Sequence, residues 1–176
     1  YYNEQGRLPL LRAVAAVEKA RAEAQAPHGY LPIDGIASYD LSVQKLLFGN
    51  DSSLLGEGRI VTAQALGGTG ALKIGADFLK RLLPNAMVAI SDPSWENHRA
   101  LFEAAGFPVK NYRYYDAANH GVNRAGMLED LRSLPAQSII VLHACCHNPT
   151  GVDLEPADWQ AVLEVIRERN HIPFLD

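Results

Sequence analysis

His143, Cys145, Cys146, His147 and Asn148, all able to do chemistry, crowd the stretch LHACCHNPTG at positions 142–151. Three chemistries compete there: a metal site, a redox pair, and the lip of a ligand pocket. Metal binding by His143 and His147 needs a helix, because only a helical turn puts residues four apart on one face. The preceding SIIVL is strand-like and Pro149 follows, so helical geometry fails and the metal site with it. Adjacent thiols suit neither a low-strain disulfide nor a chelate of ordinary spacing, and Cys145 and Cys146 read as small buried hydrophobes. Asn148-Pro149-Thr150-Gly151 reads as a turn in which proline fixes φ and holds Asn148 extended, aiming its amide.

Three further stretches carry comparable groups. ALGGTGAL (65–72) sits where the pattern changes from strand to helix. Its glycines let backbone N–H groups approach an anion at the positive end of the helix, the form of a phosphate cradle. A ligand-free glycine turn explains the same residues equally well. The dinucleotide fingerprint fails: counting from Gly68, its third glycine falls on Lys73, and the Gly-Lys-Ser/Thr ending of a P-loop is missing as well. SDPSWENH (91–98) brings Trp95 and His98 to a strand end, each of which taken singly is more often a core or satisfied residue. Asp176 closes the apolar run IPFL, where a carboxylate is costly unless paired with a cation or donors.

The elements that must position these groups follow from periodicity. Short β-rich runs occur at 59–64, 86–91, 109–115, 138–144 and 172–176. Helical stretches lie between them: TGALKIGADFLKRLL, with Leu72, Ala76, Leu79 and Leu83 on one face; WENHRALFEAAG; NRAGMLEDLRSL; and EPADWQAVLEVIRERN, with Pro156 in its first turn. This alternation predicts an α/β fold of three layers, a mostly parallel sheet with helices on both faces, which holds ligands at the C-terminal ends of its strands. Residues 1–58 read as a connecting segment with helices near 9–24 and 38–47, and 59–176 as the sheet domain. Four chemistry-bearing strand ends on one sheet edge coincide where such sheets bind ligands.

The chain has 176 residues, 48% of them hydrophobic, and a net charge of -4. That suits one core-forming domain or a large part of a bigger one. Mild acidity with interspersed Lys and Arg offers no basic face for nucleic acid. No apolar run is long enough to span a membrane, and no signal peptide is visible, so a soluble, cytoplasmic protein is expected; two adjacent cysteines fit a reducing compartment. The start at Tyr1 and the stop directly after IPFL suggest a fragment.

In order, HGYLPIDG, GGTGA, SDPSWENH, HACCHNPTG and a strand ending in Asp resemble the large domain of the class I pyridoxal-phosphate aminotransferases, bacterial aspartate and aromatic amino acid aminotransferases above all. The resemblance covers essentially the whole chain. It implies the type I fold of pyridoxal-phosphate enzymes, with the large domain incomplete, and pyridoxal 5'-phosphate as cofactor. Gly67, Gly68 and Thr69 would hold the cofactor phosphate, Trp95 would stack on the pyridine ring, and Asn148 would donate to the ring's phenolic oxygen. Asp176 would pair with the ring nitrogen and keep it protonated, so that the ring accepts the electron pair left when the substrate α-proton departs. His98 and His143 would lie behind Asp176 and orient it. Tyr30 would reach the phosphate of a neighbouring subunit, implying a homodimer with shared sites.

The resemblance also implies transamination between an amino acid, aspartate or aromatic, and a 2-oxo acid such as 2-oxoglutarate. That reaction needs a Schiff-base lysine. None of Lys19, Lys45, Lys73, Lys80 and Lys110 matches the family's motif, which belongs downstream of Asp176; the small domain is missing too. The 176 residues alone are therefore expected to be inactive. Two alternatives stand beside this reading: a nucleotide-dependent oxidoreductase of the NAD type, and a non-catalytic sensor module on the same fold.

Overall fold

The computed structural model describes residues 2–176, which divide into two compact units, residues 2–64 and 65–176. The first holds α1 (Arg12–Ala24), α2 (Ala37–Phe48) and the single turn α3 (Ser53–Gly56). The expected strand at 59–64 does not form among the described residues. An extended segment becomes a strand only by pairing with a sheet edge, and this one spends its polar groups locally. Gln64 N–H donates to the Asp34 carbonyl at 2.8 Å, its side-chain Oε1 accepts from Ile36 N–H at 3.1 Å, and Thr62 Oγ1 accepts from Gln44 at 2.8 Å.

The second unit contains α4 (Gly67–Leu82), β1 (Val88–Asp92), α5 (Glu96–Ala104), β2 (Val109–Arg113), α6 (Arg124–Ser133), β5 (Ile139–Leu142), α7 (Pro156–Glu168) and β6 (Ile172–Leu175). A two-stranded antiparallel ribbon, β3 (Tyr115–Asp116) with β4 (Gly121–Val122), interrupts the run after β2. The main sheet has the order β2-β1-β5-β6 with every neighbouring pair parallel. Alternation along its central strands splits the core. Val88, Ile90, Ile139 and Val141 face Ala76 of α4 and Phe102 of α5, whereas Ala89, Ile140 and Leu142 face Met127 and Leu131 of α6 and Val162, Val165 and Ile166 of α7. Both faces are thus covered by helices, the three-layer α/β arrangement, and central strands buried on both sides read as continuous apolar runs.

Local chemistry sets the helix ends. Asn123 caps α6 by accepting from Gly126 N–H at 3.0 Å, while Pro156 opens α7 and Asp158 reaches back to Glu155 N–H at 3.1 Å. Within α4, Gly75 permits close packing: a Cβ there would lie 2.9 Å from the Phe174 ring. Lys80 near the end of α4 donates to the carbonyls of Pro84 and Gly106, both at 2.7 Å, and fixes that end beside the starts of β1 and β2. No helix among the described residues is long and apolar enough to cross a membrane.

Candidate functional site

In a parallel sheet all C-terminal strand ends share one edge, so Asp92, Leu142 and Leu175 finish side by side. The backbone continues the ladder one step beyond β6. Asp176 N–H donates to the Leu142 carbonyl at 3.0 Å, and Ala144 N–H donates to the Asp176 carbonyl at 2.9 Å. This clasp fixes Asp176 against the first residues of the 143–151 loop.

The Asp176 side chain is met from below by His98, a fully buried residue in the first turn of α5. His98 Nε2 lies 2.7 Å from Asp176 Oδ2, and Ser94 Oγ lies 2.9 Å from His98 Nδ1. A carboxylate oxygen accepts here, so His98 Nε2 donates to Asp176 Oδ2, and the Ser94 hydroxyl completes the array at Nδ1. No hydrogen bond reaches Asp176 Oδ1 from the described residues. Trp95, half-buried at the N-cap of α5, stands edge-on to His98 with ring centres 5.5 Å apart.

His143 stands edge-on to the other side of His98 at 5.0 Å. Its Nδ1 accepts from Asn148 N–H at 3.0 Å, and its buried Nε2 has no partner among the described residues. Burial first, and the neighbouring His98 second, hold its pKa below the usual histidine value. His143 therefore reaches Asp176 through His98 rather than through a hydrogen bond of its own.

The 143–151 loop turns on Asp153. Its carboxylate accepts from Cys146 N–H at 2.8 Å and His147 N–H at 2.7 Å, bonds that hold it below the usual carboxylate range. That curl, with Cys146 in the left-handed region at φ 55, turns both thiols outward. Cys145 and Cys146 are exposed in this chain, which corrects the expectation of buried hydrophobes: β5 ends at Leu142, and the loop after it curls around the Asp153 carboxylate, leaving both cysteines at the surface. The peptide bond Asn148–Pro149 is cis, Gly151 N–H closes the turn onto the His147 carbonyl at 2.7 Å, and the Asn148 side chain is exposed.

The glycine stretch starts α4. Gly67 sits at φ +67, and a Cβ at Gly67 or Gly68 would meet nothing within 4 Å, so the first turn is open. Leu66 provides no side-chain cap, which leaves the leading N–H groups available to an anion. The helix ends beside the strand starts and its 16 residues span roughly 24 Å, longer than the roughly 17 Å of a five-residue strand. Its N-terminus therefore lies toward the sheet edge that carries Asp176.

Trp95, His98, His143, Asn148 and Asp176 thus form one contact network, and Gly67, Gly68 and Thr69 open the helix aimed at the same edge. Tyr30 belongs to the first unit, where its side chain is fully exposed. Sequence reasoning passed over Ser94, Asp153, Tyr114 and the true setting of His147. Ser94, four residues before His98, carried a usable spacing signal. The others depend on long-range partners that spacing does not disclose.

The family model for aminotransferase class I and II matches residues 1–176. An aspartate aminotransferase of Pseudomonas aeruginosa is 77% identical over the whole chain, which covers 44% of that protein. The aromatic-amino-acid aminotransferase of Escherichia coli is 53% identical, with 45% of it covered. Among solved structures, the aromatic-amino-acid aminotransferase of Burkholderia pseudomallei, covalently bound to pyridoxal phosphate, superposes with a TM-score of 0.98 at 67% identity, over all of this chain and 44% of that one. The chain spans less than half the length of these relatives.

Proposed function

The chain belongs to the aminotransferase class I and II family, and from that premise we propose that it forms part of the cofactor-binding domain of a pyridoxal-phosphate enzyme. The whole protein would move an amino group between aspartate or an aromatic amino acid and a 2-oxo acid such as 2-oxoglutarate. The observation that carries this reading is the Ser94–His98–Asp176 array, which presents one oxygen of a carboxylate, steadied from a buried ring, at the C-terminal edge of a parallel sheet.

The donor set fits the cofactor. The open first turn of α4 offers Gly67, Gly68 and Thr69 to a phosphate, Trp95 offers a ring face to a heterocycle, Asn148 an amide to a phenolic oxygen, and Asp176 a carboxylate to a ring nitrogen. When bound, pyridoxal phosphate supplies an electron sink for the pair released as the substrate Cα–H bond breaks. The chain's own part would be electrostatic: Asp176 would place its carboxylate at the ring nitrogen to hold a proton there, and His98, donating to Oδ2, orients that carboxylate.

The Schiff-base lysine lies outside these 176 residues in this reading. Lys73 is paired with Asp77 at 2.5 Å and Lys80 is committed to two carbonyls, which supports that view. Residues 1–58, with Tyr30 reaching a neighbouring subunit's phosphate, would serve a homodimer with shared sites. The exposed Leu10, Leu11, Val14 and Val17 of the first unit support a partner surface there.

The test is spectroscopic. The whole protein should bind pyridoxal phosphate and change its visible absorption on addition of aspartate or tyrosine, with the 2-oxo acid formed in equal amount. NAD binding by calorimetry, with no response to pyridoxal phosphate, would instead support an oxidoreductase and overturn the proposal.

A further inference from the structure

His147 is 2% exposed, yet every polar atom it has is engaged. Its Nε2 lies 3.0 Å from Ser91 Oγ in β1, and its Nδ1 lies 2.8 Å from Thr150 Oγ1 in the turn after it. Its N–H donates to Asp153 Oδ1 at 2.7 Å, and its carbonyl accepts from Gly151 N–H at 2.7 Å. The ring is stacked between Tyr114, 4.0 Å away and 8° from parallel, and His143, 4.2 Å away and 24° from parallel. Tyr114 is anchored in turn by donating to the Val152 carbonyl at 2.6 Å.

A residue needed only to fill space would be served by carbon. Two hydroxyls, from segments that are far apart in the chain, instead select an imidazole, which matches one donor and one acceptor to them. The next residue, Asn148, has an exposed side chain with no hydrogen bond among the described residues, so its direction is inherited from the backbone on either side. That backbone is held by His147 directly and by His143, whose ring leans on His147 and whose Nδ1 accepts from Asn148 N–H. Ser91, the other end of the tie, is followed within four residues by Trp95.

We infer that His147 is a positioning residue: its imidazole ties the end of β1 to the Asn148 turn, and so sets the direction of the Asn148 amide and its place relative to the Trp95 loop. The inference rests on the proposed contact of Asn148 with the cofactor. Burial, followed by the neighbouring His143, lowers the His147 pKa to about 4, so the tie keeps one hydrogen-bonding pattern at neutral pH.

The experiment is a double-mutant cycle in the whole holoenzyme, with pyridoxal phosphate as the probe. His147→Phe keeps the stack and removes both ring bonds; His147→Gln restores an amide donor and acceptor; Asn148→Ala removes the effector. The readouts are the dissociation constant for pyridoxal phosphate and the pH at which its bound absorption changes. Asn148→Ala should weaken cofactor binding by about tenfold and move the spectral transition. His147→Phe should do the same in part, His147→Gln should recover most of the loss, and His147→Phe should add nothing when Asn148 is already alanine. Equal effects of His147→Phe in both backgrounds would show general packing and overturn the inference. An unchanged spectrum in His147→Phe beside a shifted one in Asn148→Ala would overturn it too, whereas no shift in Asn148→Ala itself would refute the cofactor contact beneath it. If His147→Phe fails to fold, Thr150→Val, which cuts one ring bond together with the Val152 N–H bond to the same hydroxyl, carries the same comparison against Asn148→Ala.

Discussion

His98 donates from Nε2 to Asp176 Oδ2 across 2.7 Å, linking the first turn of α5 to the end of β6, 78 residues later in the chain. The histidine is wholly buried and the aspartate partly exposed, so the fixed partner sits on the protein side and the carboxylate faces outward. The proposed chemistry needs that polarity: the buried ring absorbs the orienting role, and the carboxylate keeps an oxygen for a ligand.

Trp95 is expected to act on retention rather than on chemistry. Trp95→Ala in the whole enzyme should raise the dissociation constant for pyridoxal phosphate several-fold, since stacking contributes about 1 kcal/mol beyond area burial. Equilibrium dialysis against the cofactor checks this, and an unaltered constant would place the indole off the ring.

Stability should fall as the pH drops below the ordinary histidine value. Burial lowers the pKa of His143 and His171, and that of His147 to about 4 from 6.5. Folded, these rings bind protons more weakly than unfolded, so between about pH 6.5 and 4 the unfolded chain takes up more protons and stability drops as pH falls. Asp116, Asp130 and Asp153, whose pKa values are lowered, add their losses only at still lower pH, through and below their ordinary value of 3.8. Urea unfolding at pH 7.5 and pH 5 tests this; equal midpoints would contradict it, and His147→Gln should flatten the slope.

The close approach of α4 to the sheet gives a packing prediction. Gly75→Ala gains up to about 1 kcal/mol of helix propensity, but its Cβ would lie 2.9 Å from Phe174, whose ring packs edge-on to Phe102 at 5.1 Å. Overpacking of that kind costs about 1–3 kcal/mol, so a net loss of about 1 kcal/mol is expected in denaturant unfolding. A stabilised variant would mean that the Phe174 ring moves aside freely.

Much of this architecture could be read from the sequence because its determinants are local. IIVL and VAIS are apolar runs between turn residues, and Pro156 marks the start of α7. The run at 59–64 has the same composition as a strand but finds its partners in Asp34, Ile36 and Gln44. The β3–β4 ribbon escaped notice because strands of two residues carry no period. Residue type suggests burial for Cys145 and Cys146, while the loop's backbone amides, drawn to Asp153, decide the outcome. For His147, spacing and the neighbouring strand and proline exclude a metal pair with His143 but say nothing of what the ring does instead. Its partner Ser91 lies 56 residues away, a distance at which only the folded sheet makes the pairing visible.

The central claim, that Asp176 faces the cofactor's ring nitrogen, is tested most directly by Asp176→Ala in the whole enzyme, through the single-turnover rate with aspartate or tyrosine after saturation with pyridoxal phosphate. The account predicts a cofactor that still binds and a rate lower by on the order of a hundredfold or more, the scale of losing a preorganised charge at the reacting system. A near-normal rate from the saturated variant would contradict it.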